Sequence, residues 1–247
     1  IPGDDHRVLV VGGKIVAAAR RIAAGVSGDG RRSVADLVAE ANRDPRRGPG
    51  FSKLMNFIQL DSRADALLTR QGLTRDSVPA AGVVVRLSET ANISTGGTAV
   101  DVTDDIHPAN RIMLERAARV AGIDVVGIDF ITPDISRSYR EVGGAICEIN
   151  VSPGLRPHQV AAQVPGAVPR DVTGPIIDHL FPDGSNGRIP IASITGTNGK
   201  TTTSRMLAHI LRSARAGCGA EGVGLVTTSG VTVGEDVVAE SDFGDGR

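Results

Sequence analysis

Two apolar runs, VLVV and IVAAA, flank Gly12 and Gly13 between polar ends, so residues 6–20 predict a β-hairpin that turns at the glycines. Ser33 followed three residues later by Asp36 is a capping-box signal, which predicts a helix running to about Arg43. Residues 45–50 read as a loop. Ser62 with Asp65 repeats the capping pattern, and Gly72 closes that second helix. Residues 83–87 form a short apolar strand. Residues 89–97 are polar and end in Gly96-Gly97, so this loop is expected to approach something closely. The amphipathic stretch 108–121, opened by Pro108 and stopped by Gly122, predicts a helix. Residues 124–132 and 145–150 are strands joined by the polar connection 133–144, and 172–181 is a helix.

The run Pro-Asp-Gly-Ser-Asn-Gly at 182–187 contains no apolar residue and reads as a linker between domains. Beyond it a strand is expected at 189–194, a Gly-containing loop at 195–200, a helix at 201–212 and a second strand at 223–228. That order is the opening βαβ unit of an α/β domain. The segment 213–222, SARAGCGAEG, is Gly/Ala-rich and longer than a usual turn between helix and strand. No internal repeat is visible.

Composition narrows the class. Apolar residues make up 40% and charged residues 22% of 247 residues, as in ordinary globular chains, and aromatics are only 2%, so the core rests on Val, Ile, Leu and Ala. A net charge of −1 gives no nucleic-acid footprint. No apolar stretch approaches the ~20 residues of a membrane span. Cys147 and Cys218 form neither a disulfide framework nor a zinc pattern, which fits a cytoplasmic setting. The absence of an initiator Met and of a signal sequence, with a polar final run at 240–247, suggests a piece of a longer protein.

Two constellations carry chemistry. In the first, Asp129 lies within the strand VVGIDFI, and Glu148 and Asn150 lie two residues apart on AICEIN. Strand alternation puts Glu148 and Asn150 on one face and points Cys147 to the opposite, buried face. Three oxygen-bearing side chains on neighbouring strands suit a hard cation such as Mg2+. Carboxylates inside apolar runs are costly unless they are used, although solvated strand charges would give the same letters. Arg86 and the loop Asn92-Ile93-Ser94-Thr95-Gly96-Gly97 supply the complementary donors for phosphate or carboxylate. The plainer alternative is a surface turn with Arg86 paired to Glu89. His107 and His158 are read first as ordinary loop histidines with no acid–base role.

In the second constellation, IASI-TGTNGK-TTT reads strand, loop, helix. The backbone N–H groups of Thr195, Gly196, Thr197, Asn198 and Gly199 would cradle phosphates at the N-terminus of the following helix. Lys200 would reach the β- and γ-phosphates, and the Thr201 hydroxyl, followed by Thr202, would serve Mg2+. Ile194 stands where the standard P-loop pattern has its first Gly.

Taken in order, RLSETANISTGGTAVDVTDDIHPAN, GIDFITPDIS and GGAICEINVSPGLRPH resemble the C-terminal half of an ATP-grasp ligase module, and TGTNGKTT resembles the Mur ligases and folylpolyglutamate synthetase. Thr227-Thr228-Ser229-Gly230 is similar to the next strand end of a Mur ligase. An ATP-grasp module followed by a Mur-type P-loop resembles the cyanophycin synthetase family across nearly the whole chain, segment 213–222 excepted. The resemblance implies an α/β chain: 1–181 as the C-terminal part of an α+β ATP-grasp domain, 182–188 as linker, and 189–247 as the truncated start of a Mur ligase-like P-loop domain. It implies Mg2+ on Asp129, Glu148 and Asn150, and a transferring phosphoryl group on Arg86. It implies an acyl-phosphate pocket shaped by Asn92, Ser94 and Gly97, and peptide substrate near Ser152, Pro153, Gly154, Arg156 and His158. It further implies ATP as cosubstrate, L-aspartate, L-arginine and a cyanophycin primer as partners, and a homo-oligomer for the full-length enzyme, with this piece alone inactive. Another ATP-grasp/Mur-type peptide ligase, and a P-loop regulatory protein of a different class, remain as alternatives.

Overall fold

The computed structural model describes residues 2–50, 52–164, 167–182, 188–214 and 222–240, which fall in two compact units, Ile1–Asn186 and Gly187–Arg247. In chain order the first unit contains β1 (Asp4–Val11), β2 (Lys14–Ile22), β3 (Gly25–Ser27), α1 (Val34–Ala41), β4 (Arg47–Gly48), β5 (Met55–Asn56), α2 (Ser62–Arg70) and β6 (Val84–Arg86). A 3-10 turn at Ile93–Thr95 leads to β7 (Thr98–Asp101), α3 (Pro108–Ala121), β8 (Val125–Thr132), α4 (Tyr139–Val142), β9 (Ala145–Val151), α5 (Arg156–Ala161) and α6 (Gly174–Leu180). The second contains α7 (Lys200–Ala214), β10 (Gly224–Thr227), β11 (Gly230–Val233) and β12 (Asp236–Ala239).

The hairpin β1–β2 forms as expected and becomes the middle of a five-stranded antiparallel sheet of order β7-β2-β1-β8-β9. Gly12 and Gly13, at φ +55 and +74, supply the left-handed backbone of its tight turn. One face of this sheet is mainly apolar, with Asp4, His6, Arg20 and Thr132 at one end of it. Val8, Val10, Ala18, Val126, Ile128 and Phe130 pack there against Leu114 and Ala118 of α3. The other face is mixed: Ala19 and Ala99 meet Val160 and Ala161 of α5, and Leu9, Val11 and Ala17 meet Val172. Between these apolar patches stand Arg7, Arg21 and Asp129. Residues between β2 and β7 build a lobe with its own core, in which Val34, Leu37 and Val38 of α1, Ala64 and Leu68 of α2, and Val26 and Val85 of the β3–β6 pair are buried together.

Several local expectations change. The capping box at Ser33 and Asp36 forms, but α2 is capped by Asp61, whose carboxylate accepts from Arg63 N and Ala64 N. Asp65 instead pairs with Arg75 at 2.6 Å. The loop at 45–50 contains the short strand β4, and the connection at 133–144 contains α4. A bulge between Asp129 and Phe130 matches Glu148 to Asp129 and Ile146 to Phe130, leaving Cys147 without an opposite partner. Cys147 is therefore exposed, not buried. The same bulge resets the alternation, so Ile146 packs into the α3-side core while Glu148 faces the other way.

In the Gly187–Arg247 unit no strand forms at 189–194, and Ile189 and Ile191 are 74% and 83% exposed. A parallel strand needs neighbours, and here β10, β11 and β12 pair among themselves as an antiparallel meander. The expected parallel βαβ is thus absent among the described residues, and Thr227–Gly230 forms the turn of a β10–β11 hairpin. Residues 183–187, the core of the expected linker, and most of the segment 213–222 lie outside the described residues. Among the described residues no helix is long and apolar enough to cross a membrane.

Candidate functional site

Asp129 sits 8% exposed on the mixed face of the sheet, opposite Arg7 on β1 and Glu148 on β9. Its Oδ1 accepts from Arg7 Nε at 2.5 Å, and its Oδ2 from Arg21 Nη2 at 3.0 Å and Arg7 Nη2 at 3.3 Å. Arg21 also donates from Nε and Nη2 to Asp5 Oδ1 at 3.1 and 2.6 Å. Burial opposes the charge on Arg21, but Asp5 and Asp129 outweigh it and hold its pKa above the ordinary arginine value. The side chains of Arg7 and Arg21 are only 13% and 9% exposed, so this is a largely desolvated two-arginine clamp on one carboxylate.

Asn150 stands opposite Gly127, on the same face as Glu148 and Asp129. Its Nδ2 is buried and has no hydrogen-bond partner. Glu148 is exposed. The backbone thus brings the three expected metal ligands onto one face, and Asp129 already has two cationic partners that local sequence reading did not supply.

Arg86 and Asn92 open onto a cavity of about 590 Å³ that is also lined by Asp5, Arg20 and Arg21. Arg21 therefore links the Asp129 clamp to the wall that carries Arg86. Glu89 pairs with Arg70 at 2.7 Å and not with Arg86, so the surface-pair alternative does not form. Ser94 lines a different cavity, and its backbone carbonyl accepts from Asn56 Nδ2. The close approach expected at Gly96-Gly97 is made by the chain itself. A Cβ on Gly97 would lie 2.6 Å from Ile22 O and 2.7 Å from Asn92 O, and one on Gly96 would lie 2.9 Å from Ile58 Cα.

Past β9, Ser152 has φ +50, the left-handed region that side chains avoid. The following Pro153 packs on Gly127, where a Cβ would lie 2.6 Å from Pro153 Cβ. Gly154 has open space around its Cα. Arg156 donates to Leu54 O at 3.0 Å and Lys53 O at 2.8 Å, so it ties the loop before β5 to α5. His107 caps α3 by accepting from Ala109 N.

His158 is buried on α5. Burial first, and then the charge of Arg7, pushes its pKa down from 6.5 to about 4, against a smaller opposing effect of Asp101. Between those values the unfolded chain binds more protons than the folded one, so stability falls as pH drops from 6.5 towards 4. The full loss is about 3 kcal/mol. The urea midpoint of the wild type should therefore drop more between about pH 7 and pH 5 than that of His158→Gln. Parallel pH slopes for the two proteins would remove His158 as the cause.

In the Gly187–Arg247 unit, Thr195, Gly196, Thr197, Asn198 and Gly199 form an exposed loop running into α7, with Thr201 and Thr202 in its first turn. Gly196 and Gly199 adopt φ +145 and +77. Lys200 Nζ donates to Gly196 O at 2.7 Å, folding the lysine back over its own loop.

The chain is 49% identical over 240 residues to cyanophycin synthetase from Nostoc sp., covering 97% of this chain, and 47% identical over the same length to that of Synechocystis sp.. The chain is a homologue of the cyanophycin synthetases. It spans about a quarter of the length of these cyanophycin synthetases, 26% and 27%. The Mur ligase middle domain family matches residues 194–243, the stretch that contains the Lys200 loop. A glutathione biosynthesis bifunctional protein of Streptococcus mutans is 35% identical over 185 residues, 74% of this chain and 24% of its own length. The crystal structure of a bifunctional glutathione synthetase from Pasteurella multocida superposes with a TM-score of 0.63 at 33% identity, covering 74% of this chain and 24% of that one. Over that 74% of the chain, the mixed α/β fold with an antiparallel sheet is thus shared with the bifunctional glutathione synthetase.

Proposed function

We propose that this chain contributes parts of two ATP-using sites to an amide-bond-forming ligase that polymerises L-aspartate and L-arginine as cyanophycin. In this reading 1–181 is the C-terminal part of an ATP-grasp domain, 182–188 a linker and 189–247 the start of a Mur-type domain. The observation that carries it is the cavity shared by Arg86, Asn92 and Arg21, with Arg21 bonded to Asp129, in a chain homologous to cyanophycin synthetases over 97% of its length.

The chemistry is phosphoryl transfer followed by acyl transfer. A substrate carboxylate oxygen takes the γ-phosphoryl group of ATP, and an amine then displaces the phosphate from the carbonyl carbon. Such a reaction asks the protein for positioning and charge neutralisation, not for a protein nucleophile. Arg86 offers a guanidinium fork to the transferring group, with Asn92 in the wall of the same cavity and Ser94 in that of the neighbouring one. Ser152, Gly154, Arg156 and His158 form the segment after the metal strand, with Arg156 and His158 acting by holding that segment against β5 and the sheet.

Asp129, Glu148 and Asn150 fit a divalent cation. The exposed carboxylate of Glu148 is available, and rotating the Asn150 amide would put Oδ1 where its buried nitrogen has no partner. With three of the four lone-pair sites of the Asp129 carboxylate engaged by Arg7 and Arg21, one remains, on Oδ1. Mg2+ bound there would neutralise phosphate oxygens. In the second site Thr195 to Gly199 would cradle phosphate, Lys200 would neutralise it and Thr201 would serve its metal ion, with Thr202 beside it.

The test is incorporation by the full-length protein, with ATP and Mg2+, of radiolabelled aspartate into a β-Asp-Arg primer and, separately, of radiolabelled arginine into a primer whose last aspartate side chain is still free. Glu148→Gln should lower aspartate addition on the order of 10²-fold, with arginine addition retained. If neither amino acid is incorporated by the wild type while ATP is hydrolysed, the cyanophycin assignment fails and a ligase of other substrates takes its place.

A further inference from the structure

The lobe between β2 and β7 encloses a second cavity, of about 430 Å³, between α2 and the loop that follows β6. It lies towards the small end of ligand pockets, which run about 300–1,000 Å³, and suits a single amino acid, not a polymer. Its two carboxylates are already engaged. Asp61 caps α2 through Arg63 N and Ala64 N, and Glu89 is neutralised by Arg70 at 2.7 Å. Arg63 is the cation in the lining whose guanidinium has no hydrogen-bond or ion-pair partner among the described residues, whereas Arg70 is taken up by Glu89. Ser94 and Thr90 bring hydroxyls, and Phe57 and Leu67 an apolar floor.

The position of the cavity matters as much as its lining. Glu89 and Thr90 line both this cavity and the 590 Å³ cavity of Arg86, Asn92 and Arg21, so one short loop forms the wall between them. A ligase that makes an acyl phosphate needs a second binding place beside the first, from which an amine reaches the carbonyl carbon. In that step the amine lone pair forms the C–N bond, the C–O bond to phosphate breaks with its electron pair going to the phosphate, and the surplus amine proton leaves with it.

We infer that the cavity between α2 and the 88–95 loop holds the incoming amino acid of the ATP-grasp site, with its carboxylate on Arg63. The inference rests on the ligase reading above and adds a substrate subsite and a specificity residue to it. Arg63 is exposed at the start of α2 and contributes its backbone, not its side chain, to the cap. Its substitution therefore leaves the fold intact.

The probe is L-aspartate itself. In the full-length ligase, Arg63→Gln should raise KM for aspartate by ~10-fold or more, the loss expected for one charge-assisted hydrogen bond. KM for ATP, and the rate of arginine addition to a primer whose last aspartate side chain is free, should stay within about twofold of wild type, and Arg63→Lys, which keeps the charge, should fall between. An unchanged KM for aspartate in Arg63→Gln overturns the subsite and leaves the ligase reading standing. An equal loss of aspartate and arginine addition also overturns it, because the effect is then general. A wild-type protein that incorporates no aspartate removes the ligase reading and the subsite together.

Discussion

Asp129→Asn should destabilise the Ile1–Asn186 unit by about 3–5 kcal/mol, the range seen when one partner of a buried ion pair is removed. The size follows from what is left behind. Arg7 and Arg21 point two cations at one carboxylate, with side chains 13% and 9% exposed. Asparagine keeps the shape but removes the charge and turns an NH2 group towards guanidinium donors. Asp5 still holds Arg21 at 2.6 Å, but Arg7 has no second carboxylate in this network. Urea unfolding followed by circular dichroism measures the loss. Two comparisons fix its cause. Asp4→Asn breaks the pair to Arg20, whose side chains are 42% and 52% exposed, and should cost under about 1 kcal/mol because water screens it. Glu148→Gln, on the same face but exposed, should leave the midpoint in place. If Asp129→Asn moves the midpoint no more than Asp4→Asn does, the clamp is not a stabilising element and Asp129 is held there for its site alone.

This clamp also marks where sequence reading ends. Local signals were sufficient for α3, because Pro108 fits the first helical turn and Gly122, at φ +67, can end it. They were sufficient for the β1–β2 hairpin and the Ser33 capping box for the same reason: each is decided within a few residues. The Arg7–Asp129 and Arg21–Asp129 pairs span 122 and 108 positions, so no local pattern announces them. The one signal present was a charge inside each apolar run, HRVLVV and AARRI, equivalent to the signal that singled out Asp129. Asp129, Glu148 and Asn150 were legible as a group because alternation and strand pairing place them together. Cys147 was misplaced because a bulge adds one residue and reverses the parity. The apolar letters at 189–194 read as a strand, yet a strand is a property of a pair, and its partners do not lie among the described residues of this unit.

In the full-length ligase proposed above, Lys200→Ala should lower arginine addition on the order of 10²–10³-fold, the loss expected when one preorganised donor to developing charge is removed. Lys200 lies at the first position of α7, behind a loop whose Gly196 and Gly199 adopt backbone angles that side chains rarely take. Its ammonium group rests on Gly196 O at 2.7 Å, a contact that a phosphate oxygen would outcompete because it exchanges a neutral acceptor for an anionic one. The lysine is exposed and makes no buried contact, so the substitution should shift the unfolding midpoint by less than about 0.5 kcal/mol. A large loss of activity without a loss of stability is thus the expected signature. Aspartate addition should persist in this variant, as arginine addition should persist in Glu148→Gln, because the two residues lie in separate compact units. Opposite losses in the two variants would assign one amino acid to each ATP site. Loss of both activities in Lys200→Ala would mean that the P-loop also serves the aspartate step, and the assignment of one amino acid to each site would fail.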